Sequence, residues 1–269
     1  MFFRMNIRGF YIVIFVLLSY LVLSQDCYVY SKEYDESSID DIIIVEGRQE
    51  ALKVIADILK AHKGDVTISY SGISRDFRHY KKNNYIDFLD ELSFKNGYYT
   101  GIISGMCISI NNSGNESVSF QFNYLTTVKQ EKYISKQAKK IAKKYKGQSR
   151  YNKIKGAHDY IVDHTSYDNR HYNPYYVFRK GRGICMSYAL AFQRILMEMK
   201  IPCVYVKGDN HAWNMVKLDG KWYGVDVTWD DSRGSYAYFL KGTEDFYGHD
   251  CPDSKMFRTL KKAKYSYNR

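Results

Sequence analysis

What the chain lacks narrows the field first. No two of its five cysteines (Cys27, Cys107, Cys185, Cys203 and Cys251) stand as C-x-x-C, which argues against a zinc site. No acidic stretch has the density of an EF-hand, since Asp230-Asp231 and Glu244-Asp245 are isolated pairs, so calcium has no evident cradle. No nucleic-acid-binding module is recognisable. Only three prolines occur in 269 residues, and Pro202 reads as a helix stop. No cofactor and no metal is therefore expected. An odd cysteine count suits one free thiol, with up to two disulfides among the other four and no connectivity implied.

What is present is a large apolar fraction, 45%, in a chain long enough for one large domain or two small ones. Tyrosine is abundant at 27 residues and the net charge is +11. Such a charge suits a polyanionic neighbourhood such as cell-wall polymer or a membrane surface. The lysines are spread along the chain, so a soluble basic surface is the simpler reading.

Residues 1–24 read as a signal peptide or membrane anchor. Arg4 and Arg8 supply a basic start, residues 10–23 are apolar, and Val22-Leu23-Ser24 is an acceptable cleavage site. The run is short for a full span, and Cys27 lacks a convincing lipobox. The expected location is extracellular or at the cell surface, secreted or anchored through residues 10–23. Residues 25–147 read as an N-terminal α+β region. They comprise a polar start, a helix over 46–62, a strand over 66–70, a helix over 76–92, and strands over 98–110 and 117–126 around the turn at Asn111 to Asn115. A basic helix over 129–146 closes this region, and Gly147-Gln148-Ser149 marks the boundary. Its lysines form a solvated face by default and a wall- or membrane-facing strip in the sharper reading.

Residues 148–269 read as the catalytic domain. A helix over 151–163 carries His158, which the periodicity assigns to structure. An irregular loop over 167–180 leads to the breaker Gly181-Arg182-Gly183, then to Cys185 in the first turn of a largely buried helix. There, unpaired backbone N–H groups and the positive end of the helix dipole favour a thiolate and an oxyanion. A lone cysteine is more often a small core residue, as expected of Cys203. The partners change the odds. Leu218-Asp219-Gly220-Lys221 reads as a two-residue hairpin turn. Counting outward places Leu218 opposite Lys221, Trp213 opposite Asp226 and His211 opposite Thr228. Asp226 would then be the diagonal neighbour of His211, about 7–8 Å away and on one face of the sheet. A carboxylate there holds one imidazole nitrogen and leaves the other as a base. Trp213 and Trp229 are expected to pack around the site, and residues 236–240 to form a last strand.

The order Cys185, then His211-Ala212-Trp213-Asn214, then Asp219-Gly220-Lys221-Trp222-Tyr223 and Val225-Asp226-Val227-Thr228-Trp229-Asp230 resembles the transglutaminase-like superfamily. It is most similar to the bacterial branch related to cytokinesis and kyphoscoliosis-type peptidases. The likeness begins near Ile154 and runs to Leu240. It departs at Met186-Ser187, where that branch often has Gln-Gly. The resemblance implies an α+β, papain-like core with Cys185, His211 and Asp226 as its catalytic triad. The expected function is a thiol enzyme acting on amide bonds of a protein or peptide substrate through a thioester, with a cysteine peptidase favoured. A glutamine transglutaminase or deamidase, and a non-catalytic adhesion or scaffold module, stand as alternatives.

Overall fold

The computed structural model describes residues 11–15, 42–77, 84–111, 116–208, 210–249 and 254–267. The protein is α+β and divides into two compact units. The first comprises Met1–Leu92 with Ile103–Tyr124, and the second Ser93–Ile102 with Leu125–Arg269.

In the first unit, strands Tyr11–Phe15 (β1), Ile43–Ile44 (β2), Asp65–Ser69 (β3), Ile103–Asn111 (β4) and Ser117–Tyr124 (β5) form a sheet ordered β1-β4-β5-β3-β2. Alternation along β5 buries Val118, Phe120 and Phe122 on the same face. The helix Arg48–Lys60 (α1) buries Leu52, Ile55 and Leu59, and Phe120 meets Phe77 and Phe88 at ring-centroid distances of 5.9 and 6.2 Å. The helix expected over 76–92 is divided between Ile73–Phe77 (α2) and Asn84–Lys95 (α3), and residues 78–83 lie outside the described ones. Of the apolar run 10–23, only β1 is described. Among the described residues no helix is long and apolar enough to cross a membrane.

The second unit packs helices on a three-stranded antiparallel sheet. Its helices are Gly97–Gly101 (α4), Val128–Lys144 (α5) and Arg150–His164 (α6). The short parallel pair Ser166–Tyr167 (β6) and Arg182–Gly183 (β7) frames Pro174–Lys180 (α7), and Cys185–Glu198 (α8) follows. The sheet is Cys203–Gly208 (β8), His211–Leu218 (β9) and Lys221–Val225 (β10), ordered β10-β9-β8. The helices Val227–Arg233 (α9) and Lys255–Arg258 (α10) complete it. Helix α8 is the core of the unit: every residue from Ser187 to Leu196 is buried. Several of its buried polar groups are paired. Arg194 meets Glu198 at 2.6 Å and donates to Ser135 Oγ, while the Gln193 amide donates to the Cys203 carbonyl. Asn214 Nδ2 donates from β9 to the Ala189 carbonyl and ties the sheet to the helix.

Three local expectations are corrected. Residues 97–101 are helical, not the start of a strand, because Gly97 and Gly101 let α4 pack closely. A Cβ at Gly101 would meet Leu190 at 2.5 Å. Tyr98 is buried there, with its hydroxyl 3.0 Å from Glu131. The stretch expected to be an irregular loop contains α7, started by Pro174 at its first turn and capped by Asn173. Residues 236–240 are turns instead of a strand: Leu240 has φ 50, and only Lys241 bridges to Gly224. The chain after α9 nonetheless covers the outer edge of β10, with Trp222 N–H donating to the Lys261 carbonyl and Gly224 N–H to the Lys241 carbonyl.

Candidate active site

The start of α8 is fixed from outside the helix. The His171 carbonyl accepts hydrogen bonds from Ile184 N–H at 3.1 Å and Ser187 Oγ at 2.9 Å. Gly183 must be small, since a Cβ there would stand 2.7 Å from that of Ser187. Gly181 turns the chain at φ 61, a left-handed conformation in which a Cβ would strike the His164 carbonyl at 2.3 Å. These contacts place Cys185 as the first residue of α8. Its N-cap, Ile184, supplies no side-chain hydrogen bond, so the first-turn N–H groups are left to other acceptors. The Tyr167 hydroxyl is one of them: it lies in hydrogen-bond reach of both the Cys185 backbone N–H and its thiol.

His211 opens β9 directly after Asn210, which turns the hairpin at φ 62. The β9–β10 register agrees with the count from Asp219-Gly220 as far as Val225 opposite Asn214. Beyond that the expectation fails. Asp226 is no longer in the strand and Thr228 does not pair with His211, because the chain turns into α9 with Asp226 as its N-cap. The cap itself brings the carboxylate to His211. Asp226 Oδ1 accepts from the N–H groups of Thr228 at 3.0 Å and Trp229 at 3.1 Å, which leaves Oδ2 aimed at the imidazole. His211 Nε2 lies 2.6 Å from Oδ2, and the ring also hydrogen-bonds Cys185. Cys185, His211 and Asp226 are therefore brought together, with the ring between the thiol and the carboxylate.

Electrostatics follow from this order. Burial alone would lower the pKa of His211. The hydrogen bonds and negative charges of Asp226 and Cys185 outweigh it and raise it to about 9. Burial would raise Asp226, but His211, His249 and the Trp229 N–H hold its carboxyl below the usual range. Trp229 stacks on the His211 ring at 4.9 Å and 19°. On the thiol side, in β8, burial pushes the pKa of Tyr205 up and that of Lys207 down. Burial pushes the thiols of Cys107 and Cys203 up. Cys107, Cys185 and Cys203 are all free, so neither Cys107 nor Cys203 joins a disulfide, and Cys27 and Cys251 lie outside the described residues.

Sequence reasoning missed His249. Its Nε2 lies 2.8 Å from the same Asp226 Oδ2, and its side chain is wholly buried. It reaches the site from a turn 23 residues past Asp226, and nothing in periodicity or spacing marks it. The nitrogens of His211 and His249 and the Asp226 oxygen lie within 4.8 Å of one another and could hold a metal ion. Separations of 2.6 and 2.8 Å suit hydrogen bonds. Donors on one tetrahedral zinc ion stand about 3.3 Å apart, given bonds of about 2.0–2.1 Å. A second buried histidine, His158, is held apart in its own network by Asp230 at 3.0 Å and Asp159 at 3.1 Å.

Parts of the chain are similar to known proteins. A sequence model described as the Transglutaminase-like superfamily matches residues 135–227. The kyphoscoliosis peptidases of Mus musculus and Homo sapiens are 28% and 27% identical over 121 residues. That stretch is 35% of this chain and 18% of either relative, so the chain spans under a fifth of their length. The crystal structure of a TGase is 16% identical, with a TM-score of 0.36, over 75% of this chain and 58% of that one. The stretch 135–227 that matches the transglutaminase-like superfamily contains Cys185, His211 and Asp226.

Proposed function

We propose that the protein is a thiol enzyme that acts on amide bonds of a protein or peptide substrate, with hydrolysis as its reaction. The observation that carries this reading is the position of His211, hydrogen-bonded to Cys185 on one side and to Asp226 at 2.6 Å on the other. His211 takes the thiol proton, and the Cys185 sulfur attacks the carbonyl carbon. The carbonyl oxygen becomes an oxyanion beside the Cys185 N–H, displacing the Tyr167 hydroxyl from that donor. The C–N bond then breaks as His211 protonates the leaving amine, which leaves a thioester on Cys185. His211 next takes a proton from water, the hydroxide adds to the thioester, and the acid departs as the thiol is restored. An amine in place of water would give a crosslink, and a glutamine side chain as donor with water as acceptor would give deamidation. The kyphoscoliosis peptidases bear the name of a hydrolytic activity, which supports the choice of water. We further place the substrate outside the cytoplasmic membrane, on the strength of Arg4, Arg8 and the apolar run 10–23.

The test compares the protein with its Cys185→Ala variant on casein, peptidoglycan stem peptides and a glutamine donor with a labelled amine, with products read by mass spectrometry. Cleavage fragments that vanish in the variant are the expected result. Amine incorporation would replace the peptidase by a transglutaminase, and a gain of one mass unit on glutamine by a deamidase. Identical spectra from the two proteins, with Cys185 no more reactive than a free cysteine, would leave the scaffold alternative.

A further inference from the structure

We propose that His249 is a positioning residue for the triad. It anchors the Asp226 oxygen that orients His211. The inference rests on the reading of Cys185, His211 and Asp226 as a thiol triad.

The hydrogen-bond partners fix the ring in place. His249 Nδ1 lies 2.9 Å from the Tyr247 carbonyl, and Nε2 lies 2.8 Å from Asp226 Oδ2. The side chains of His249 and Asp226 are both fully buried. The ring is held in this pose. It stacks on Phe246 at 3.8 Å and 9°, and meets Trp229 at 4.4 Å and Trp213 at 4.9 Å. Two glycines admit the loop that carries it. A Cβ at Gly224 would run into Phe246 at 2.4 Å. Gly248 has φ 75, and a Cβ there would meet the Trp229 ring at 2.9 Å.

Asp226 Oδ2 is thereby held between two imidazole nitrogens, so it cannot swing away when His211 moves a proton.

Alkylation reads the effect without a known substrate. Wild type, His249→Gln and His249→Phe are treated with iodoacetamide across the pH range, and modification of Cys185 is followed by peptide mass spectrometry beside a melting curve. Glutamine keeps an N–H donor without the ring, and phenylalanine keeps a stacked ring without the donor. Labelling near pH 6 is expected to fall roughly tenfold in His249→Phe and to recover largely in His249→Gln, which restores the donor. Labelling of His249→Phe equal to wild type, with a lower melting temperature, would reduce His249 to packing and overturn the inference. So would a His249→Gln variant no better than His249→Phe, or wild-type labelling that changes on treatment with EDTA, which would make His249 a metal ligand. If wild-type Cys185 labels no faster than a free cysteine peptide at any pH, the triad reading itself fails. If it labels fast and both variants label equally fast, only this inference fails.

Discussion

Asp226 is the residue on which the site depends. It caps α9 with one oxygen and holds two histidines with the other, all without exposure to solvent. Asp226→Asn keeps the size and Oδ1 but puts an amide or a neutral oxygen against His211, which disturbs the ring's orientation and removes the charge that favours its proton. Turnover is expected to fall about a hundredfold or more, and the basic limb of the pH–rate profile to move below its wild-type value of about 9. A basic limb that stays in place would show that Asp226 does not set the state of His211. The sign for stability is the same. His211 is raised in the folded protein, so its ion pair stabilises fully below the ordinary histidine value and fades as pH climbs through about 9. Cys185, His211 and Asp226 can be picked out from spacing and motif, and the reason they meet is only partly legible there. The Asp219-Gly220 turn sets a register that holds to Val225, but a one-sheet diagonal cannot anticipate that Asp226 leaves the strand to become a cap. His249 was illegible because its contact is made by a loop whose path depends on tight packing at Gly224 and Gly248.

At the scale of elements, α9 is braced on α6 and on α8. His158 of α6 sits between Asp159 and Asp230, Asp230 Oδ1 accepts from Tyr238 N–H at 2.7 Å, and the Tyr188 hydroxyl of α8 donates to Asp231 at 2.7 Å. Burial would lower the pKa of His158, and the two carboxylates raise it above the ordinary value. The pair therefore stabilises below the unfolded histidine pKa and is lost as pH rises through the folded one. His158→Phe leaves Asp230 buried beside an apolar ring. It is expected to cost about 3 kcal/mol at mildly acidic pH, with the gap from wild type narrowing as pH rises. Urea unfolding of both proteins at several pH values checks this, and a gap independent of pH would contradict it. The periodicity of α5, α6 and α8 was readable because apolar stripes at helical spacing face one core. Helix α4 was not readable: Tyr98, Tyr99 and Thr100 favour strands by propensity, and close packing through Gly97 and Gly101 overrides them.

For the whole molecule, the second unit is discontinuous in sequence, because Ser93–Ile102 belongs with Leu125–Arg269. A fragment of residues 125–269 keeps the triad but loses α4, which packs Gly97 beside Gln193 and Gly101 beside Leu190. It is expected to melt well below the full chain and to expose the apolar face of α8, read as increased binding of a hydrophobic dye. Equal melting temperatures would show that α4 is dispensable. The central claim concerns one thiol of three described ones, which makes the protein its own control. Brief iodoacetamide labelling near pH 6, with peptide mass spectrometry, compares Cys185 with Cys107 and Cys203, whose thiols burial pushes up. The triad predicts that Cys185 labels about a hundredfold faster than either and that Asp226→Asn removes most of the difference. A Cys185 that reacts at the rate of a free cysteine peptide would contradict the account.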